Sequence, residues 1–124
     1  MATILVVEDN VTNMKFAAML LQQAGHRVLT AMDAETGLSV ARKEQPDLIL
    51  MDIQLPGMDG LAATALLKAE PVTHAIPVIA LTALAMKGDE ERIRAAGCDG
   101  YIAKPLAYKE FLALISAHLT PPPS

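Results

Sequence analysis

Five polar residues stand where a short apolar run gives way to polar sequence. Glu8 and Asp9 follow Ile4–Val7, Asp52 follows Leu48–Met51, Thr82 follows Val78–Leu81, and Lys104 follows Tyr101–Ala103. Singly, each has a plain structural use. Asp9 or Asn10 suits a helix cap, Asp52 suits the opening of the turn into Leu55-Pro56-Gly57, Thr82 suits another cap, and Lys104 suits an exposed loop. Together they offer three carboxylates, a hydroxyl and an ammonium. Carboxylates gathered without partners repel one another and raise their own pKa values. A hard divalent cation resolves that conflict, and Mg²⁺ takes an octahedral shell of a few carboxylates, waters and a phosphate oxygen. Glu8, Asp9 and Asp52 supply the protein side of such a shell. The Thr82 hydroxyl and Lys104 ammonium suit the remaining oxygens of a transferred phosphoryl group. That transfer depends mostly on positioning and charge neutralisation, so a metal, a cation and one carboxylate nucleophile suffice.

These residues act together only if the chain folds to bring the run ends together. The apolar runs Ile4–Val7, Val28–Ala31, Leu48–Met51, Val78–Leu81 and Tyr101–Ala103 have the length and β-branched content of strands buried on both faces. The segments between them have helical spacing. Met14, Ala17, Ala18, Leu21 and Ala24 form one stripe, ended by Gly25. A second helix is predicted over Ala34–Glu44 and stopped by Pro46. A third follows Gly60, placing Leu61, Thr64, Ala65 and Lys68 around a turn and ending before Pro71. A fourth turns Ile93 and Ala96 inward and stops at Gly97. A fifth carries Phe111, Leu112, Ile115 and Leu119 on one face. Alternation of this kind predicts an α/β fold: a five-stranded parallel sheet of order 2-1-3-4-5 flanked by five helices. Ligands of such sheets bind beyond the carboxyl ends of the strands, where the five polar residues fall.

Composition narrows the function classes. The 124 residues suit one domain, expected over 1–119 with a Pro-rich tail at 120–124. Apolar residues make up 52% and aromatics 3%, so an aliphatic core is expected, with methionines filling its gaps. The formal charge is −4, with no run of five like charges, which argues against a nucleic-acid surface. Cys98 is the single cysteine, which precludes an internal disulfide and suits a reducing compartment. No apolar stretch reaches membrane-spanning length. The start of the chain has no basic region or cleavage site of a signal peptide, so the cytoplasm is the expected location.

Four motifs, in order, carry a family resemblance. VVEDN at Val6–Asn10, LILMDIQLPGMDG at Leu48–Gly60, IALTA at Ile79–Ala83 and YIAKP at Tyr101–Pro105 resemble those of two-component receiver domains. The resemblance covers the chain up to its tail. It implies that Asp52 accepts the phosphoryl group and that Glu8, Asp9, Asp52 and the backbone carbonyl of Gln54 hold Mg²⁺. It further implies that Thr82 and Lys104 bind phosphoryl oxygens and that Lys104-Pro105 is a cis peptide. Within the family, Val11–Lys15 and Ala85–Arg94 are similar to single-domain cell-cycle regulators, whereas Gly57–Gly60 follows the general receiver pattern.

A receiver without an output module must act by binding. The expected partners are a histidine kinase or a histidine phosphotransfer protein, with an adaptor protein as a further one. The same domain as a module of a hybrid histidine kinase is the alternative context. Thr82 moving toward the phosphoryl group would vacate space for Tyr101 and alter the surface of the fourth helix, fifth strand and fifth helix. Two other readings fail on residues. A phosphatase of the haloacid dehalogenase type needs its nucleophile after the first strand with an acid two residues on, and Gln54 occupies that place relative to Asp52. A flavodoxin needs a hydroxyl- and Gly-rich loop where Glu8 and Asp9 would repel its flavin phosphate.

Overall fold

The computed structural model describes residues 2–83, 87–104 and 106–119. The predicted tail at 120–124 and the Lys104-Pro105 peptide lie outside those residues. Ten elements alternate: β1 (Thr3–Val7), α1 (Val11–Gln23), β2 (Arg27–Ala31), α2 (Ala34–Glu44), β3 (Leu48–Asp52), α3 (Gly60–Ala69), β4 (Val78–Thr82), α4 (Lys87–Ala95), β5 (Gly100–Ala103) and α5 (Tyr108–Leu119). The strands form one parallel sheet of order β2-β1-β3-β4-β5, as expected.

Side chains alternate across a strand with a period of two, and each face of this sheet has its own core. Leu5, Val7, Ile49, Met51, Val78 and Ala80 face α2, α3 and α4, meeting Leu38, Ala63, Leu67 and Ile93. Ile4, Val6, Leu48, Leu50, Ile79 and Leu81 face α1 and α5, meeting Leu20, Leu21, Phe111 and Ile115. The central strands β1, β3 and β4 carry their apolar runs buried on both faces, as expected. At the edges, β2 and β5 are largely half-buried or exposed, because a strand with one neighbour lacks cover on its outer side.

Helix starts are set by side-chain caps on orphan amides. Asn10 Oδ1 accepts from Asn13 N–H at 2.9 Å, Asp33 Oδ1 from Thr36 N–H at 2.7 Å, and Asp59 Oδ1 from Ala62 N–H at 2.8 Å. Two helix faces depart from the predicted stripes. On α1, Leu20 is buried while Ala24 is exposed. On α3 the inward residues are Gly60, Ala63, Thr64 and Leu67, and Ala65 is exposed. The close seating of Gly60 on the end of β3 sets that rotation. Ion pairs then tie the C-terminal end of α3 to its neighbours. Arg42 pairs with Glu70 through two 2.8 Å contacts, and Lys68 Nζ reaches Asp99 Oδ2 and the Ile76 carbonyl, each at 2.8 Å.

The helix stop after α2 is made without glycine. Gln45 has φ 46°, a left-handed conformation that costs an L-residue about 1–2 kcal/mol, and Pro46 prevents continuation. Gln45→Gly is expected to stabilise the chain by about 0.5–1 kcal/mol after allowance for glycine's greater unfolded-state freedom. Urea denaturation checks this; an unchanged or lower midpoint would contradict the strain assigned to Gln45.

Candidate functional site

Strand register brings the polar residues to one edge. Val7 is level with Met51, Asp52 with Leu81, and Thr82 with Ala103. The ladder continues one step past the strands, with Glu8 N–H donating to the Ala31 carbonyl at 3.0 Å, Ile53 N–H to Leu81 at 3.1 Å and Lys104 N–H to Thr82 at 2.7 Å. Glu8, Asp52, Thr82 and Lys104 therefore stand within about one residue of a common line. The two-residue alternation assigns Glu8, Asp52 and Lys104 to the face toward α1 and α5. Thr82 and Tyr101 fall on the opposite face, where Tyr101 packs half-buried against the core shared with α3 and α4.

Lys104 Nζ is the hub. It lies 3.1 Å from Asp52 Oδ2 and 2.9 Å from Glu8 Oε2. Asp52 Oδ1 accepts from Gln54 N–H at 2.9 Å, and Glu8 Oε1 from Asn10 N–H at 3.2 Å. Glu8 and Asp52 are 1% and 2% exposed, and Asp9 is exposed beside them. Burial, first of all, raises the Glu8 pKa; the Lys104 ammonium pulls it back and Asp52 pushes it up again. Burial works to lower the Lys104 pKa, but Glu8 and Asp52 together outweigh it and hold the ammonium above its ordinary value.

Glu8, Asp9 and Asp52 each offer an oxygen, and these oxygens lie within 4.8 Å of one another. One, Glu8 Oε2, is buried, its only close partner among the described residues the Lys104 ammonium at 2.9 Å. An all-oxygen donor set, an unmatched buried carboxylate oxygen and more negative than positive charge fit a hard divalent cation such as Mg²⁺. All three predicted acids thus converge, with Lys104 upon them. Thr82 is fully buried at the end of β4 and Ala83 beyond it is exposed.

The sequence reading missed two features. A cavity of about 350 Å³ opens beside the acids, lined by Glu8, Phe16, Leu81, Lys104 and Leu106. Phe16 was outside the predicted α1 stripe, so nothing in the helical pattern marked it. The buried Thr64 is the second: its hydroxyl donates to the Gly60 carbonyl at 2.8 Å and accepts from Cys98 Sγ at 3.8 Å. Burial raises the Cys98 thiol above its usual pKa.

Residues 4–116 match the response regulator receiver domain family. The chain is 46% identical over 117 residues to the polar-differentiation response regulator DivK of Brucella anthropi, covering 94% of this chain and 95% of that protein, and matches DivK of Brucella abortus equally. Among solved structures it is similar to the Vibrio cholerae chemotaxis protein CheY4, with a TM-score of 0.91, 27% identity and coverage of 96% and 99% of the two chains. It is also similar to the receiver domain of the sensor histidine kinase PA1611 from Pseudomonas aeruginosa, which holds a magnesium ion in its active-site cleft. That match has a TM-score of 0.89, 36% identity and coverage of 95% and 97%. The sheet order, the carboxylate cluster under Lys104 and these likenesses agree: the chain belongs to the response regulator receiver domains of two-component systems, and within them it is DivK-like.

Proposed function

We propose that the chain accepts a phosphoryl group on Asp52 from a phosphohistidine of a histidine kinase or phosphotransfer protein, and signals by phosphorylation-dependent protein binding. The observation that carries this reading is the buried Asp52 carboxylate, bound at one oxygen by Lys104 and at the other by the Gln54 amide, beside Glu8 and Asp9. A carboxylate oxygen of Asp52 attacks phosphorus, the phosphorus–nitrogen bond breaks, and the donor imidazole leaves with a proton. Lys104 neutralises charge on the phosphoryl oxygens, and the Thr82 hydroxyl donates to another. Mg²⁺, held by Glu8, Asp9, Asp52 and the Gln54 carbonyl, would supply positive charge shared between the acids and the phosphoryl group. The chain is then a phosphoacceptor with limited self-catalysed phosphorylation and dephosphorylation, and not a turnover enzyme.

Thr82 and Tyr101 support the output half of the reading. Ala80 is level with Tyr101, so Thr82 lies two residues further along the same sheet face on the neighbouring strand, about 8 Å from Tyr101. Movement of the Thr82 hydroxyl toward Asp52 would change the room available to the half-buried Tyr101 and shift the α4-β5-α5 surface between two states. Coverage of 95% of DivK's own length favours a single-domain role over that of a hybrid-kinase module. An adaptor protein is a further candidate partner. The net charge of −4 disfavours nucleic acid, and among the described residues no helix is long and apolar enough to cross a membrane; a cytoplasmic location is the matching proposal.

With Mg²⁺ and acetyl phosphate, the chain is expected to gain one acid-stable, base-labile phosphoryl group, seen by intact-mass measurement, and Asp52→Asn to lose it. Equal modification of the Asn variant would overturn Asp52 as acceptor.

Asp9→Ala is expected to lose calorimetric Mg²⁺ binding while melting at or above the parent temperature in metal-free buffer, since one of three crowded charges is gone. A clear fall in melting temperature without metal would make Asp9 a structural residue instead.

Phosphorylation, or its beryllofluoride mimic, is expected to change partner affinity about 5–150-fold. Thr82→Ala should keep Asp52 phosphorylatable and reduce that factor, and Tyr101→Ala should alter binding with little effect on phosphorylation. Full phosphorylation dependence in the Thr82 variant would refute the Thr82–Tyr101 link.

A further inference from the structure

We infer that Gly60 is a positioning residue for the phosphoacceptor: its missing side chain lets the first turn of α3 sit on the Asp52–Ile53 peptide and hold the Asp52 carboxylate in line with Glu8 and Lys104. A β-carbon on Gly60 would overlap the Asp52 carbonyl oxygen and come within 2.7 Å of Ile53 Cα and 2.8 Å of the Asp52 carbonyl carbon. Those neighbours are backbone and cannot rotate aside. Gly60 has no left-handed φ among the positive-φ glycines, so the requirement for glycine here comes from close approach and not from backbone freedom.

The helix cannot give way easily either. Gly60 N–H donates to the Ile53 carbonyl at 3.3 Å. Thr64 Oγ1 holds the Gly60 carbonyl at 2.8 Å from inside the core, and the Asp59 cap fixes the same turn through Ala62 N–H at 2.8 Å. Cys98 Sγ donates toward Thr64 Oγ1, which leaves the Thr64 proton for Gly60. A side chain at 60 must therefore move the Asp52–Ile53 peptide. That peptide's Ile53 N–H joins β4 through the Leu81 carbonyl, and in the next peptide Gln54 N–H grips Asp52 Oδ1. Its displacement carries the carboxylate away from Lys104 and Glu8 without removing a single polar group from the site.

Gly37 supplies the internal control. A β-carbon there would meet Val7 Cγ2 at 2.8 Å and Cγ1 at 3.2 Å, a shallower overlap that involves side-chain atoms and not the Asp52–Ile53 backbone. The two glycines thus separate overpacking in general from displacement of Asp52.

The inference rests on Asp52 as phosphoacceptor, and the experiment separates the two claims. Gly60→Ala and Gly37→Ala are compared with the parent in the full chain, measuring melting temperature, calorimetric Mg²⁺ affinity, and phosphorylation rate by acetyl phosphate at saturating Mg²⁺. Gly60→Ala is expected to stay folded, to lower the rate about 10-fold or more as misplacement of a reacting group does, and to weaken Mg²⁺ binding several-fold. Gly37→Ala should keep both within about 2-fold, even where its core overpacking lowers the melting temperature. Parent-like rate and Mg²⁺ affinity in Gly60→Ala, or equal losses in Gly37→Ala, would overturn the role of Gly60. If Gly60→Ala does not fold, Thr64→Val takes its place: a several-fold loss of rate and Mg²⁺ affinity supports the seat, and parent values refute it. Should Asp52→Asn be modified as well as the parent, the phosphoacceptor reading fails, and the Mg²⁺ titration alone decides whether Gly60 positions Asp52.

Discussion

Glu8 and Asp52 are buried side by side with one ammonium, that of Lys104, at 2.9 and 3.1 Å, and Asp9 adds a third carboxylate at the surface. Buried like charges raise each other's energy, and one cation cannot balance both acids. Around this cluster the rest of the molecule is ordinary: two aliphatic cores, one on each side of a parallel sheet. An unbalanced buried acid pair is tolerated where it occurs because those cores enclose it on a rigid edge. Its positioning by two central strand ends, with Lys104 held from the edge strand β5, leaves little room to relax apart. The excess negative charge suits the edge to a cation, which on the proposed reading would offset the further negative charge of a phosphoryl group.

The strand register and the two-residue alternation divide the polar residues between the two faces of the same edge. Glu8, Asp52 and Lys104 belong to the face toward α1 and α5, where the cavity beside Phe16 and Leu106 gives access. Thr82 and Tyr101 belong to the face toward α3 and α4. The proposed coupling of phosphoryl chemistry to output would then run across the thickness of one sheet. Thr82 ends a fully buried strand, so movement of its side chain is felt by packed neighbours and not lost to solvent.

Much of this was legible in the sequence because buried parallel strands have a strong signature: continuous apolar runs ending abruptly in polar residues. The sheet order followed from those runs, and so did the placing of Glu8, Asp9, Asp52, Thr82 and Lys104 at one edge of the sheet. The faces of α1 and α3 were less legible, since Ala and Leu are distributed around both helices and the stripe rule has no unique solution. What rotates α3 into place is the seating of Gly60 against a backbone that is distant in space until β3 has formed, a contact that local spacing does not encode. The caps show the same limit. Asp33, Asp59 and Asn10 all have capping chemistry, but Asp9 has it too, and only the fold assigns Asn10 to α1 and Asp9 to the acid cluster. The half-exposed character of β2 and β5 follows from sheet position, which hydrophobic content alone does not report.

If the carboxylate edge is a cation and phosphoryl site, divalent metal should stabilise the folded chain beyond any effect of salt. The direct measurement is the thermal midpoint of the unmodified chain in Mg²⁺ against NaCl of matched ionic strength. With Mg²⁺ near ten times its Kd, the midpoint is predicted to rise by about 3–6 °C over the NaCl sample. Equal midpoints in the two salts would mean that the oxygens of Glu8, Asp9 and Asp52 hold no cation, and would contradict the account at its centre.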